Sequence, residues 1–263
     1  MGSEAPPRLL DVRWRLDRPD GRPEFEAGHL PGAVYVDLDS ELAELGAPSD
    51  GRHPLPSPAR LQAAARAWGL CDGEPVVVYD DLANMSAARA WWLLRHAGIR
   101  DVRLLDGGLG AWRAAGLVVE QGQARPAPGN VSLAYGHLRV ASIDEAAAAP
   151  QRGVLLDARA RERYLGLTEP VDPRAGHIPG ARSTPTAENV RSDGRFRSRA
   201  ELRRRFGDAG VAEGVPVVTY CGSGVTAAHT VVALALAGYE AALYPGSWSQ
   251  WSNLPGRDVE TGP

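Results

Sequence analysis

An internal repeat constrains the fold of this chain more than any other feature of its 263 residues. Landmarks of the first half return in the second half in the same order: 10–13 (LDVR) with 156–159 (LDAR), 27–33 (AGHLPGA) with 175–181 (AGHIPGA), 75–79 (PVVVY) with 216–220 (PVVTY), and 105–107 (LDG) with 244–246 (YPG). The spacing between partners changes along the chain, as expected when surface loops gain or lose residues. The sequence therefore predicts a duplicated domain rather than a short-period solenoid.

A linker is predicted between the two copies. Residues 121–130 (QGQARPAPGN) have the Pro-, Gly- and polar-rich composition of such a segment. We predict an N-terminal domain at 1–122, a linker at 123–134 and a C-terminal domain at 135–263.

Short apolar runs alternate with helical runs in each copy. In the first copy, strands are predicted at 9–12, 33–36, 76–79 and 102–105, and helices at 57–68 and 85–97. This alternation predicts an α/β fold, with two tandem domains that are each a small parallel sheet flanked by helices. Ligands of such folds bind beyond the carboxyl ends of the strands, which is where Asp80 and Cys221 follow their predicted strands.

Cys221 is the candidate nucleophile. It lies between a predicted strand at 216–220 and a predicted helix at 227–236 that Gly238 closes. Gly222 and Gly224 let the loop curl so that backbone N–H groups face the sulfur, and the helix N-terminus adds a positive end; both favour the thiolate. The alternative is a buried structural cysteine. Asp80 occupies the equivalent position of the first copy, so only the second copy can perform thiol chemistry. The first copy is then either a scaffold or one wall of the cleft.

Composition excludes several classes of function. The net charge of −3 and the pI of about 6.1 give no nucleic-acid footprint, and no run of 18 apolar residues suggests a membrane span. The stretch 1–7 (MGSEAPP) lacks the features of a targeting signal, so we expect a cytoplasmic protein. Two cysteines make neither a disulfide framework nor a metal-ligand pattern, and no metal or other cofactor is implied. All 29 basic residues are arginine, which excludes a Schiff-base lysine and favours arginine for anion recognition.

Two kinds of function are considered for a cysteine between a strand and a helix. Cysteine phosphatases need an arginine six residues after the nucleophile, where this chain has Ala227, so a phosphate could not be held in the loop. A non-enzymatic persulfide carrier that delivers sulfur to a partner protein stays open as an alternative.

The paired AGH(L/I)PGA boxes, the loop 220–227 (YCGSGVTA), Asp80 at the matching place and the Gly/Trp segment ending each copy resemble the tandem-domain rhodanese family. The neutral loop after Cys221 is similar to that of the 3-mercaptopyruvate sulfurtransferases, whereas thiosulfate-preferring members usually carry basic residues there. The resemblance implies transfer of a sulfane sulfur from 3-mercaptopyruvate to a thiol or cyanide through a Cys221 persulfide, with release of pyruvate. The implied partners are a small-molecule sulfur donor and a thiol acceptor such as a thioredoxin-like protein. Thiosulfate is the alternative donor.

The resemblance also implies roles for individual residues. The N–H groups cradling the persulfide and donor would come from Gly222, Gly224, Val225 and Thr226. Arg163, and with a different spacing Arg174, would hold the donor anion; Arg163 has no counterpart in the first copy.

A hydroxyl relay is implied in the same way. Ser223 would pass a proton, with His29 of the first box as its partner and an acidic residue such as Asp20 behind it. For Ser223 the alternative is simply a small residue that the loop tolerates. For His29 and His177, which lie in identical boxes, the alternative is a shared structural role. Arg13 and Arg159, equivalent by the repeat, are expected to bridge carboxylates rather than bind a ligand.

Overall fold

The computed structural model describes residues 6–263; residues 1–5, part of the stretch read for targeting signals, lie outside the described residues. Two compact units divide the chain. Among the described residues, the first comprises 6–44, 55–138 and 192–195, and the second comprises 45–54, 139–191 and 196–263. The segment 45–54 is thus part of the second unit although it lies in the first half of the sequence, and the segment 192–195 is part of the first unit although it lies in the second half. No helix within 6–263 is long and apolar enough to cross a membrane.

The first unit is a parallel four-stranded sheet in the order β2-β1-β3-β4. Its elements are β1 (Arg8–Asp11), α1 (Arg22–Ala27), β2 (Val34–Tyr35), α2 (Leu38–Glu41), α3 (Pro58–Ala67), β3 (Val76–Tyr79), α4 (Ala87–His96), β4 (Val102–Leu104) and α5 (Gly108–Ala114). The predicted strands and helices of this half are confirmed to within two residues at either end. The side chain of Ser57 accepts the N–H of Arg60 and so caps α3 at its predicted start.

The second unit repeats this topology, with the parallel order β6-β5-β7-β8. Its elements are α6 (Ile143–Arg152), β5 (Val154–Asp157), α7 (Arg161–Tyr164), β6 (Arg182–Ser183), α8 (Arg199–Asp208), β7 (Val217–Tyr220), α9 (Thr226–Ala237), β8 (Ala242–Leu243) and α10 (Ser247–Asn253). The predicted helix after Cys221 is α9, and Gly238 ends it in the left-handed conformation with φ of 87°. The α/β fold class and the duplication are therefore confirmed.

The register of the two sheets places Asp80 and Cys221 in the same position. Asp11 pairs with Tyr79 in the first sheet, and Asp157 pairs with Tyr220 in the second. Because Asp80 and Cys221 directly follow those tyrosines, each residue leaves the carboxyl end of the third strand in its unit. The predicted equivalence of the two positions is confirmed.

Each sheet also contains a buried ion pair at the end of its first strand. Arg13 bonds Asp11 at 2.7 Å in the first unit, and Arg159 bonds Asp157 at 2.6 Å in the second. Both guanidinium groups also donate to the carbonyl of the glycine before the box histidine, Gly28 or Gly176. As predicted, these arginines are structural: they tie the box to the sheet.

Candidate active site

Cys221 lies at the carboxyl end of β7 and is 1% exposed. Its Sγ accepts the backbone N–H of Gly224 at 3.1 Å. Gly224 has φ of 78°, and a Cβ there would lie 2.5 Å from the carbonyl oxygen of Pro245, so this position requires glycine. The strand–loop–helix arrangement expected around the sulfur is present, with Val225 and Thr226 at the start of α9.

The segment that begins α10 holds the backbone of this loop. The N–H of Cys221 donates to Oγ of Ser247 at 3.1 Å, and that hydroxyl donates to the carbonyl of Tyr244 at 2.9 Å. In return, the N–H groups of Trp248 and Ser249 donate to the carbonyls of Cys221 and Gly222 at 2.9 and 2.8 Å. Three hydrogen bonds thus tie the loop at the nucleophile to α10 and limit its movement.

Ser223 pairs with His53, a residue that the sequence analysis did not select. The distance from Oγ of Ser223 to Nδ1 of His53 is 2.7 Å, and both residues are buried. His53 comes from the segment 45–54, which belongs to the second unit although it precedes the repeat boundary in the sequence. A buried hydroxyl–imidazole pair two residues from a cysteine can move a proton to or from a group bound there.

The expected pairing of Ser223 with His29 is wrong. Nδ1 of His29 is 2.8 Å from the carbonyl oxygen of Phe25, and its ring stacks on that of Phe25 at 3.8 Å. His177 repeats this arrangement with Tyr164, at 2.8 and 3.8 Å. The imidazole of each box therefore fastens the box to the preceding helix, which is the shared structural role given above as the alternative. Asp20 does not support His29, because its carboxylate accepts the N–H of Arg22.

Two guanidinium groups flank the loop at Gly222. A Cβ placed on Gly222 would lie 3.0 Å from Nη2 of Arg52 and 3.4 Å from Nη1 of Arg163. Arg163, on α7, was the predicted anion clamp. Arg52 was not selected, although its neighbour His53 supplies the partner of Ser223. Together they form a positive edge beside Cys221, suited to an anionic group.

Buried carboxylates hold both guanidinium groups. Arg163 donates to Glu169 at 2.6 Å and to Asp172 at 3.1 Å, and Arg52 forms a salt bridge with the other oxygen of Asp172. Burial raises the pKa of Asp172; Arg52 and Arg163 oppose this rise, whereas Glu169 adds to it.

Arg174 does not reach the loop, so its predicted role as a second clamp is wrong. Its guanidinium donates to the carbonyls of Trp251, Ser252 and Arg257 at 2.7, 2.9 and 2.6 Å. These carbonyls lie at or beyond the last turn of α10, where a cation stabilises the end of a helix. Arg174 directly precedes the box at 175–181 in the sequence, but its guanidinium binds the end of α10.

A signal for Arg52 and His53 exists in the sequence. The triplet 50–52 (DGR) returns as 193–195 (DGR), which marks the two segments as equivalent. After the triplet, however, the first copy has His53 where the second has Phe196. The same kind of asymmetry singled out Arg163, so a comparison of the copies residue by residue would have selected His53.

The described residues do not form a metal-binding cluster. Within residues 6–263, no three His, Cys, Asp or Glu side chains are grouped as a metal ion would require. Cys71 and Cys221 are both free thiols. The site brings together the thiol of Cys221, the hydroxyl–imidazole pair of Ser223 and His53, and the guanidinium groups of Arg52 and Arg163.

Comparison with known proteins gives the family. The rhodanese-like domain family matches residues 1–115 and 142–254. A Mycobacterium tuberculosis protein, SseB, is named as a candidate thiosulfate sulfurtransferase. It is 50% identical over 261 residues, which cover 98% of this chain and 92% of the length of SseB. A Pseudomonas aeruginosa protein named as a probable 3-mercaptopyruvate sulfurtransferase is 46% identical over 271 residues, 99% of this chain and 94% of its own.

A solved structure agrees with these relatives. SseA from Escherichia coli, described with the 3-mercaptopyruvate sulfotransferases and the rhodanese fold, superposes with a TM-score of 0.82 at 34% identity over 92% of each chain. Relatives of this similarity, aligned over nearly the whole length, carry sulfur-transfer names, and each half of the chain matches the same domain family. The chain therefore belongs to the tandem-domain rhodanese family and is a sulfurtransferase.

Proposed function

We propose that this enzyme transfers the sulfur of 3-mercaptopyruvate to a thiol or to cyanide through a persulfide on Cys221, and releases pyruvate. The observation that carries the proposal is the 2.7 Å contact between Ser223 and His53 beside Cys221. A proton source at this place is needed for a carbon leaving group, because the enolate of pyruvate must be protonated. Sulfite, the leaving group of thiosulfate, needs no such proton.

The first half-reaction conserves atoms and charge. The thiolate of Cys221 attacks the thiol sulfur of the donor, the carbon–sulfur bond breaks, and its electron pair remains on the carbon fragment as the pyruvate enolate. Cys221 now carries an S–SH group. The hydroxyl of Ser223 supplies the proton that converts the enolate to pyruvate, and His53 replaces it.

Binding of the donor draws on Arg163 and Arg52. The carboxylate of 3-mercaptopyruvate is a planar two-oxygen anion, which guanidinium groups bind through paired hydrogen bonds. The N–H group of Gly224, 3.1 Å from Sγ, would stabilise negative charge on the sulfur. Gly222, Val225 and Thr226 keep their proposed place in the same cradle.

The second half-reaction restores the enzyme. An acceptor thiolate attacks the outer sulfur of the persulfide, the S–S bond breaks, and Cys221 leaves as a thiolate. The proposed acceptor is a small thiol or a thioredoxin-like protein. A cytoplasmic location is part of the proposal, since two free cysteines suit a reducing compartment.

Thiosulfate is the second candidate donor, because the Mycobacterium tuberculosis relative at 50% identity is named for it. The same Cys221 persulfide would form, with sulfite as the leaving group. A carrier that passes the persulfide to a partner protein would also load Cys221 but would turn over only with that partner.

The test is to incubate the protein with 3-mercaptopyruvate and with thiosulfate in parallel, and to follow pyruvate or sulfite together with the intact mass. The expected result is stoichiometric pyruvate and a gain of about 32 Da at Cys221, the mass of one sulfur atom. A protein that gains no mass from either donor, or one in which Cys221→Ser releases pyruvate as fast as the wild type, would contradict the proposal.

A further inference from the structure

A chain of alternating charges leads from the interior of the second unit to the active-site loop. Its members, each within 3.4 Å of the next, are Arg159, Glu169, Arg163, Asp172 and Arg52. Arg159 is matched by its own carboxylate partner, Asp157. With Asp157 included, three guanidinium groups are therefore balanced by three carboxylates, and Asp172 lies between the two guanidinium groups that reach Gly222.

Asp172 bridges the two guanidinium groups that reach Gly222. Its side chain is 2% exposed, and its two oxygens contact different guanidinium groups: Oδ1 pairs with Arg52, and Oδ2 lies 3.1 Å from Nη2 of Arg163. One buried carboxylate thus fixes the positions of both cations. It also places a negative charge next to any anion that those cations bind.

Both guanidinium groups keep donors for a ligand. Nε of Arg52 is buried and donates to no atom of residues 6–263. Nη1 of Arg163, which lies at Gly222, forms no hydrogen bond within the same part of the chain. A buried N–H without an acceptor is costly, so Nε of Arg52 calls for an acceptor, and Nη1 of Arg163 offers a second donor next to Gly222.

We infer that Asp172 sets the charge of the sulfur donor that the enzyme accepts: it positions Arg52 and Arg163 for one carboxylate while its own charge disfavours a dianion. With the guanidinium groups balanced by the carboxylates of this chain of charges, a monoanion such as 3-mercaptopyruvate adds one uncompensated negative charge. Thiosulfate adds two. Because repulsion from Asp172 scales with the charge of the ligand, the dianion is penalised more.

The inference deepens the proposed function and depends on it, so the test compares two donors. We would measure kcat/KM with thiosulfate and with 3-mercaptopyruvate, using cyanide as the common acceptor, for the wild type and for Asp172→Asn. Asparagine keeps the size of the side chain but removes the charge. The ratio of thiosulfate to 3-mercaptopyruvate efficiency is expected to rise about tenfold, the effect of removing one unit charge beside a partly solvated anion.

Matched variants separate specificity from structure. Asp172→Glu, which restores the charge, should return the ratio to that of the wild type. Asp144→Asn, which removes the same charge from an exposed ion pair with Arg257, should leave the ratio unchanged. Should Asp172→Asn fail to fold, Glu169→Gln decides, with a smaller rise expected because Glu169 also contacts the buried Arg159.

The outcomes distinguish the inference from the proposed function. A wild type that turns over neither donor contradicts the proposed function itself. A wild type that is active, with a donor ratio that stays within about twofold in the folded Asp172→Asn variant or, failing that, in Glu169→Gln, overturns the role of Asp172 alone.

Discussion

The loop after β3 and the loop after β7 leave their sheets at the same position but bind different atoms. Asp80 is fully buried, and its two oxygens accept N–H groups at 2.8–3.0 Å from Leu82, Asn84, Ser86 and Ala87. Cys221 instead places a sulfur beside the N–H of Gly224. Both copies therefore direct backbone N–H groups of the loop toward the side chain that follows the third strand. The first copy closes on its own carboxylate, and it has Asp80 where the second copy has the thiol of Cys221.

A second difference lies at the start of the helix that supports each loop. Gly108, with φ of 56°, begins α5, and a Cβ there would lie 2.4 Å from the carbonyl oxygen of Asp80. Its counterpart Ser247 has φ of 53° although it carries a side chain, and its hydroxyl accepts the N–H of Cys221. A left-handed serine costs conformational energy. The first copy instead has its left-handed non-glycine residues, Ala83 and Asn84, within the loop that follows Asp80.

The largest effect is expected from the residue that the two loops do not share. Cys221→Ser should lower kcat at least about a thousandfold with either donor, because serine cannot form a persulfide. The measurement is pyruvate and sulfite release, with Cys71→Ser as the control that should keep wild-type rates. Substantial turnover by Cys221→Ser would remove the distinction between the two loops.

Next in size is the proposed proton relay of Ser223 and His53. Ser223→Ala and His53→Gln should each lower kcat with 3-mercaptopyruvate about a hundredfold, because the enolate must then take its proton from water. With thiosulfate, the same variants should lose no more than about threefold. Steady-state kinetics with both donors tests this.

His29→Gln is the matched control for the relay. Because the imidazole of His29 bonds the carbonyl of Phe25 and stacks on its ring, we expect a lower melting temperature and an unchanged kcat per folded molecule. A hundredfold loss of kcat in His29→Gln, with wild-type rates in His53→Gln, would reverse the assignment.

A smaller effect is expected at the positive edge beside Gly222. Arg163→Ala should raise KM for 3-mercaptopyruvate about tenfold with little change in kcat, because the guanidinium binds the donor in its ground state and transition state alike. Initial-rate kinetics measure the split, and Arg257→Ala, which removes an arginine from an exposed pair, serves as the control. A fall in kcat at unchanged KM would argue against a clamp.

The smallest effect on activity should come from the loop that closes on itself. Asp80→Ala leaves four buried N–H groups without an acceptor, so the free energy of unfolding should fall by about 2–3 kcal/mol. At a temperature where the variant stays folded, kcat/KM should equal that of the wild type. Denaturant titration and kinetics test both, with Asp101→Asn in an exposed pair as the control. Lost activity at full stability would show that the first unit takes part in catalysis.

The regular elements could be predicted because local patterns determine them. Buried strands of the Val-Val-Val-Tyr type, a Ser57 cap and a Gly238 stop are local signals, and the structure has all of them. The side chains that meet at Cys221 are a different matter, because segments far apart in the sequence bring them together. His53 and Ser223 are 170 positions apart in the sequence, and no local sequence pattern predicts that they are in contact.

The sequence alone determined the duplication, the position of Cys221 after its strand and the asymmetry that identified Arg163. These follow from spacing and from comparing one copy with the other. Only the tertiary structure decided that His53 rather than His29 contacts Ser223, that Arg52 stands beside Arg163, and that Arg174 instead binds the end of α10. The physical reason is that identical boxes fold identically, which commits both histidines to backbone bonds, whereas the irregular segment 45–54 is placed by packing against α10.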